Sequence, residues 1–229
     1  MILMFLDTFP AGFHMTFTQG RFSEGNARPI SLQDGAESEL RARLAEVCPP
    51  RLMAHMDRVV EVADELATRW GLDVALARYM AQAHDVVRHF SDAEWLERAA
   101  AYGIEAGEVE RAAPVLLHGP VGAEELQRKF GVTDPRVLHA VWWHTPGHPE
   151  YSPEAWAMFI ADKVEPKKAK RWKALKKVHR TALEVGLEAA ALRYVELRMK
   201  EGLREGYLIQ PEMLATRNAL LTRIGQNPD

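Results

Sequence analysis

An all-α fold is predicted by three features of the 229-residue chain. Apolar residues return every three or four positions in one segment after another. Pairs such as Asp134-Pro135 and Ser152-Pro153, which suit a helix start, precede these segments, and glycines such as Gly71 and Gly131 follow them. No stretch shows strand alternation between hairpin turns, and none runs from a strand into a glycine-rich phosphate loop.

The composition sets outer bounds. Hydrophobic residues make up 47% of the chain, enough for a sizeable core, and the net charge of −3 argues against general nucleic-acid binding. A single cysteine, Cys48, has no intrachain partner, and CxxC is absent, which points to a reducing compartment and a cytoplasmic location. Residues 36–225 are expected to form one helical domain. Residues 1–35 read as a flexible extension: the run Met1 to Leu6 is broken by Asp7 and lacks a basic leader, and glycine and proline recur as far as Gly35. Met15 is an alternative start. Nothing in this stretch approaches a membrane span in length, so no membrane partner is expected.

Helical periodicity begins near Ala36 and stops at Pro49-Pro50. A longer amphipathic segment, Arg51 to Trp70, carries Val59, Val62, Ala63 and Leu66 on one face, with His55 one turn before Val59. Asp73 caps a segment that places Leu76, Met80 and His84 on successive turns. Ser91 and Glu94 form a capping box for the next. Pro114 limits the segment from Glu108 to Leu117, and His118-Gly119-Pro120 then opens a stretch whose small residues permit close backbone approach. That helix is expected to stop at Gly131. The next runs from Asp134-Pro135 to His144, which heads Thr145-Pro146-Gly147, and another runs from Ser152-Pro153 to Asp162. From Lys163 to Arg180 the chain is strongly basic and only Glu165 opposes it. A long amphipathic closing helix is expected from Leu183 through Leu203, and Pro211 starts a last one.

The stretch that organises these segments is Ala83-His84-Asp85-Val86-Val87-Arg88. A polar pair at the end of an apolar helical run is either a satisfied core histidine beside a helix-ending aspartate or a pair of metal ligands. Neighbouring helical side chains diverge by about 100° and share no face, but both can reach an ion beside the helix end. His55, His118, His144 and Asp162 occur singly in separate apolar segments, all of types suited to a divalent metal. A charge after Phe159-Ile160-Ala161 is costly if buried unless paired or coordinated. His139 and His148 read as packing or surface residues.

The ordered series His84-Asp85, Leu116-Leu117-His118-Gly119, His144-Thr145 with Gly147, Ala161-Asp162 with Glu165-Pro166, and the late Leu208-Ile209 and Arg217-Asn218 resembles the HD-domain metal-dependent phosphohydrolases. Within that superfamily it is most similar to the bacterial symmetrical diadenosine tetraphosphate hydrolases. The resemblance covers His55 to Leu221. It implies an HD-domain helical bundle with a long basic-to-amphipathic C-terminal helical extension. His55, His84, Asp85 and Asp162 would hold a divalent metal, iron first and manganese as the alternative. His118 and His144 would face the phosphate chain or assist a second metal ion, and Arg88 and Lys168 would bind phosphate. Asp85, Arg88, His118 and His144 would thus form the catalytic set, and Arg88, His118, His144 and Lys168 the substrate-binding set. The implied reaction splits diadenosine tetraphosphate into two ADP. Arg88 stands where the family generally has lysine and Lys168 where it has arginine. Leu52 occupies a position commonly basic, and Lys167 to Trp172 replaces a Phe-Pro-Gly loop.

The chemistry agrees with the resemblance. A phosphoanhydride repels hydroxide, so a catalyst must neutralise its oxygens and supply deprotonated water. Imidazole ligands leave more net positive charge on an ion than carboxylates do. Two other readings stay open: a phosphohydrolase of nucleoside monophosphates or another small phosphoester, and a non-catalytic helical module that binds nucleic acid or protein. The basic run is a solvated face, a rim attracting a polyanionic nucleotide, or a nucleic-acid contact. The closing helix covers the core or joins a second copy in a homodimer.

Overall fold

The computed structural model describes residues 35–226; the predicted N-terminal extension, save Gly35, lies outside them. Regular structure among the described residues is all helical. Its elements are α1 (Ala36–Ala45), α2 (Pro50–Trp70), α3 (Val74–Ala83), α4 (Asp92–Ala101), α5 (Glu108–Ala112), a 3-10 turn (Pro114–Leu117), α6 (His118–Phe130), α7 (Pro135–Trp142), α8 (Pro153–Val164), α9 (Pro166–Arg171), α10 (Leu175–Glu184), α11 (Leu187–Glu205) and α12 (Pro211–Gln226). No described helix is long and apolar enough to cross a membrane.

The boundaries follow local chemistry. The Asp73 carboxylate accepts from Leu76 N–H at the start of α3, and Ser91 with Glu94 completes a capping box on α4. Asp134 and Ser152 cap α7 and α8, each followed by proline at the first helical position. Gly71 and Gly131 take left-handed backbone to end α2 and α6, a conformation glycine reaches without steric cost.

Helix α8 is central. Every residue from Ala155 to Glu165 is buried, as a helix packed on all sides requires. It contacts α2, α3, α7, α9, α10 and α11. Helices α6 and α7 pair beside this group, and α12 packs on α11. The buried apolar cluster runs from Ala36 to Leu220.

One segment differs from the sequence expectation. The closing helix is not continuous from Leu183: α10 ends at Glu184 and α11 begins at Leu187, with Gly186 at φ 151° between them. Apolar periodicity persists across the break at Val185-Gly186, so the pattern alone reads as a longer helix. The basic run spans the end of α8, α9 and part of α10, with Trp172 in extended backbone after α9.

Gly119 shows why small residues follow His118. A methyl group at that position would lie 2.6 Å from the Trp142 carbonyl oxygen, 3.0 Å from that of Val141 and 3.3 Å from His144 Nδ1. At Gly122 the tightest contact would be 3.3 Å, to Val86 Cγ1. Gly119→Ala should therefore destabilise the fold by about 1–3 kcal/mol, as overpacking does, and displace His144. Gly122→Ala should cost less. Chemical denaturation of both variants checks the order.

Candidate metal centre

Each candidate ligand stands at or near a helix end. His55 lies in the second turn of α2, and His84 and Asp85 lie in the turn leaving α3. His118 opens α6, His144 follows α7, and Asp162 sits in the last turn of α8. Because α2, α3, α7 and α8 pack around one another and α6 packs on α7, these positions converge.

The side chains form two groups, His55, His84 and Asp162 in one and Asp85, His118 and His144 in the other. Asp85 also joins them. Its Oδ2 lies 3.4 Å from His55 Nε2 and 3.5 Å from His84 Nε2, while its Oδ1 lies 3.3 Å from His118 Nε2 and 3.4 Å from His144 Nε2. Asp162 Oδ1 closes the first group at 3.3 Å from His55 Nε2 and 3.5 Å from His84 Nε2.

The outer ring nitrogens determine what the inner ones present. His84 Nδ1–H donates to the Ala81 carbonyl at 2.7 Å, His144 Nδ1–H to that of Val141 at 2.7 Å, and His118 Nδ1–H to that of Val115. A carbonyl only accepts, so the proton of each neutral imidazole is on Nδ1 and a lone pair on Nε2 faces the centre. The acceptor three residues back is supplied by the same turn in all three cases. His55 Nδ1 faces Glu165 Oε1 at 3.7 Å, and Arg58 fixes that carboxylate through Nε at 2.7 Å from Oε2. Such outer contacts orient metal-binding histidines and raise their basicity.

This donor set fits a divalent cation. His84 Nε2 is buried with no hydrogen-bond partner, and the His118 and His144 Nε2 atoms stand only 2.8 Å apart. Lone pairs converging at that separation repel unless a proton or a metal ion lies between them. With protein groups alone, burial would lower the His84 pKa, but Asp85 and Asp162 overcome it and lift the ring to about 10. A proton then takes the place that suits a metal. Burial, with His118 and His84 nearby, drives His144 down to about 3, a ring that stays neutral and ready to coordinate. Despite their burial, Asp85 is kept ionised by His84 and the surrounding imidazoles, and Asp162 by Lys163 and Lys168. The two groups are thus consistent with a binuclear divalent-metal site.

Around this centre, Lys168 Nζ lies 2.5 Å from Asp162 Oδ1, and its side chain is partly exposed at the edge of the cluster. Arg88 is exposed, with its guanidinium carbon 5.7 Å from the centroid of the Trp95 ring, and among the described residues it forms no ion pair with the ligand carboxylates. The structure therefore brings Lys168 to the ligands but leaves Arg88 on the rim; the Trp95 ring centroid is 6.4 Å from that of His118. His139 and His148 pack edge to face at 4.6 Å, away from the ligand groups, as a packing role requires. Lys163, Arg58 and the carboxylate of Glu165 were not selected from sequence. The only signal for Arg58 is its position one turn after His55.

No protein-family model matches the chain. It is 29% identical over 185 residues to the symmetrical bis(5'-nucleosyl)-tetraphosphatase of Halalkalibacterium halodurans, covering 79% of this chain and 97% of that protein. The protein of the same name from Bacillus subtilis is 29% identical over 168 residues, covering 73% and 88%. Among solved structures, a Clostridium acetobutylicum protein described as a predicted HD superfamily hydrolase involved in NAD metabolism superposes with a TM-score of 0.74 at 25% identity. The match covers 81% of this chain and 97% of that one. The chain has an HD-superfamily metal-dependent hydrolase fold. It is related to the symmetrical bis(5'-nucleosyl)-tetraphosphatases, and its two His and Asp groups support a metal-dependent hydrolase.

Within this HD fold, the shared position of Asp85 gives an unequal expectation for substitutions. His118→Ala should leave the first group intact and reduce bound metal by one ion, whereas Asp85→Asn should weaken both positions. Metal content after dialysis against micromolar manganese reads the difference. Full two-ion content in Asp85→Asn would show that its carboxylate does not join the groups.

Proposed function

We propose that this chain hydrolyses diadenosine tetraphosphate symmetrically, giving two ADP, with His55, His84, Asp85 and Asp162 as ligands of one divalent ion and Asp85, His118 and His144 as ligands of a second. The observation that carries the reading is the two-group cluster joined by Asp85, with Lys168 at its edge. The kinship with proteins named symmetrical tetraphosphatases supports the substrate. A divalent cation held there supplies positive charge to phosphoryl oxygens and acidifies water.

The side chains have distinct tasks. Asp85 and Asp162 anchor positive charge, and a carboxylate next to the attacking water can take its proton. His118 and His144 hold the second position against Asp85. Lys168, already paired with Asp162 Oδ1, is within reach of an anionic substrate and stabilises charge that develops as the anhydride breaks. Arg88, on its Trp95 support, meets phosphate farther from the reacting phosphorus. Iron is the first expectation for the metal and manganese the second.

The bond that breaks joins the central bridging oxygen to a phosphorus. Water adds to that phosphorus, the bridging oxygen leaves with the other ADP, and one proton is released. Oxygen from labelled water should therefore enter the terminal phosphate of one ADP. Incubation with diadenosine tetraphosphate and iron or manganese under reducing conditions should yield ADP as the sole initial nucleotide. Equal initial yields of AMP and ATP would reject the symmetrical register, and efficient release of phosphate from nucleoside monophosphates without dinucleotide cleavage would favour a phosphomonoesterase.

Phosphate recognition is separable from coordination. Lys168→Met should lower kcat/KM on the order of 10²-fold, as loss of one oxyanion donor does. Arg88→Ala should chiefly raise KM. Both variants should keep the metal content of the parent protein; unchanged steady-state kinetics in either would remove that residue from the proposal.

A further inference from the structure

Lys163 follows Asp162 in α8, and its ammonium is buried with the ligands; the residue is 7% exposed. A buried ammonium is costly unless its donors are met. Nζ lies 2.7 Å from Asp162 Oδ2 and donates to the His144 backbone carbonyl at 2.9 Å. It also lies 4.9 Å from the Phe159 ring centroid and 5.7 Å from that of Tyr194, within range of favourable cation–π contact. Neighbouring residues on a helix point about 100° apart, so the long lysine stem must fold back for this contact with Asp162.

The two oxygen acceptors belong to different ligand groups. Asp162 turns Oδ1 toward His55 and His84, and Lys163 holds Oδ2 away from them. A carboxylate restrained in this way offers one oxygen inward rather than chelating with both. The His144 carbonyl belongs to the turn after α7 whose imidazole faces Asp85 and His118. One ammonium thus ties the α8 carboxylate of the first group to the α7 turn of the second.

We propose that Lys163 is a positioning residue that sets the separation of the two ion positions. It fixes Asp162 to one inward oxygen and His144 to a constant distance from α8. The inference rests on the two-ion reading of the cluster and is independent of which phosphate ester is cleaved. Its effect is on the metal pair itself, so substrate turnover is not needed to observe it.

Manganese titration of the full chain, followed by electron paramagnetic resonance and elemental analysis, tests it. The parent protein should bind two ions and give the multiline signal of a coupled Mn(II) pair. Lys163→Met, neutral and similar in length, should bind the second ion at least about 10-fold more weakly, the scale of outer-contact losses at metal sites. The coupled signal should disappear at manganese concentrations that saturate the parent. Circular dichroism melting of the same samples establishes that the variant is folded; if Lys163→Met does not fold, the same readings on Lys163→Gln, which keeps one donor, decide. A folded variant with parental affinity and coupled signal overturns the positioning role, even if its melting temperature falls. A parent chain that binds fewer than two ions overturns the two-ion reading beneath it.

Discussion

The Asp85 carboxylate is the constraint around which the site is built. One oxygen faces His55 and His84 and the other faces His118 and His144, so four histidines from separate segments converge on a single residue. Such a group is stable in the interior only if its charges and lone pairs are matched. Lys163 and Lys168 offset Asp162, carbonyl acceptors engage three imidazole Nδ1–H groups, and the inward-facing Nε2 atoms suit a divalent cation. The fold meets this demand by placing most of the cluster at helix ends, where the carbonyls of Ala81, Val115 and Val141, three residues before the rings, orient them.

Much of this arrangement was legible in the sequence because it is encoded locally. Asp73, Ser91, Asp134 and Ser152 cap the helices they precede, and Pro135 and Pro153 occupy first helical positions as expected. The small residues after His118 were read as permitting close approach, and Gly119 does meet the Trp142 and Val141 carbonyls. The six candidate metal-site residues also come together. The occurrence of four of them singly, and of His84-Asp85 as a pair, in apolar segments is informative because an unpaired polar group in the core is costly.

What was not legible depends on distance across the fold. The sequence could not divide the ligands into two groups or assign the Asp85 oxygens between them. It did not select Lys163, since a lysine after an aspartate at the end of an apolar helix ordinarily extends to solvent; only the packing of Phe159, Tyr194 and the His144 turn keeps it inside. Arg88 was expected, from the resemblance, to bind phosphate. The chain leaves helical geometry at His84, however, and carries the guanidinium to Trp95. The break at Val185-Gly186 was hidden for the opposite reason, since hydrophobic periodicity continues through it.

The central claim is that two ions share Asp85. Anomalous diffraction from crystals grown with manganese, collected at the metal absorption edge, tests it most directly. Two peaks should flank the Asp85 carboxylate, one bounded by His55, His84 and Asp162 and the other by His118 and His144. A single peak enclosed by all four histidines, or peaks that leave Asp85 uncoordinated, would contradict the account.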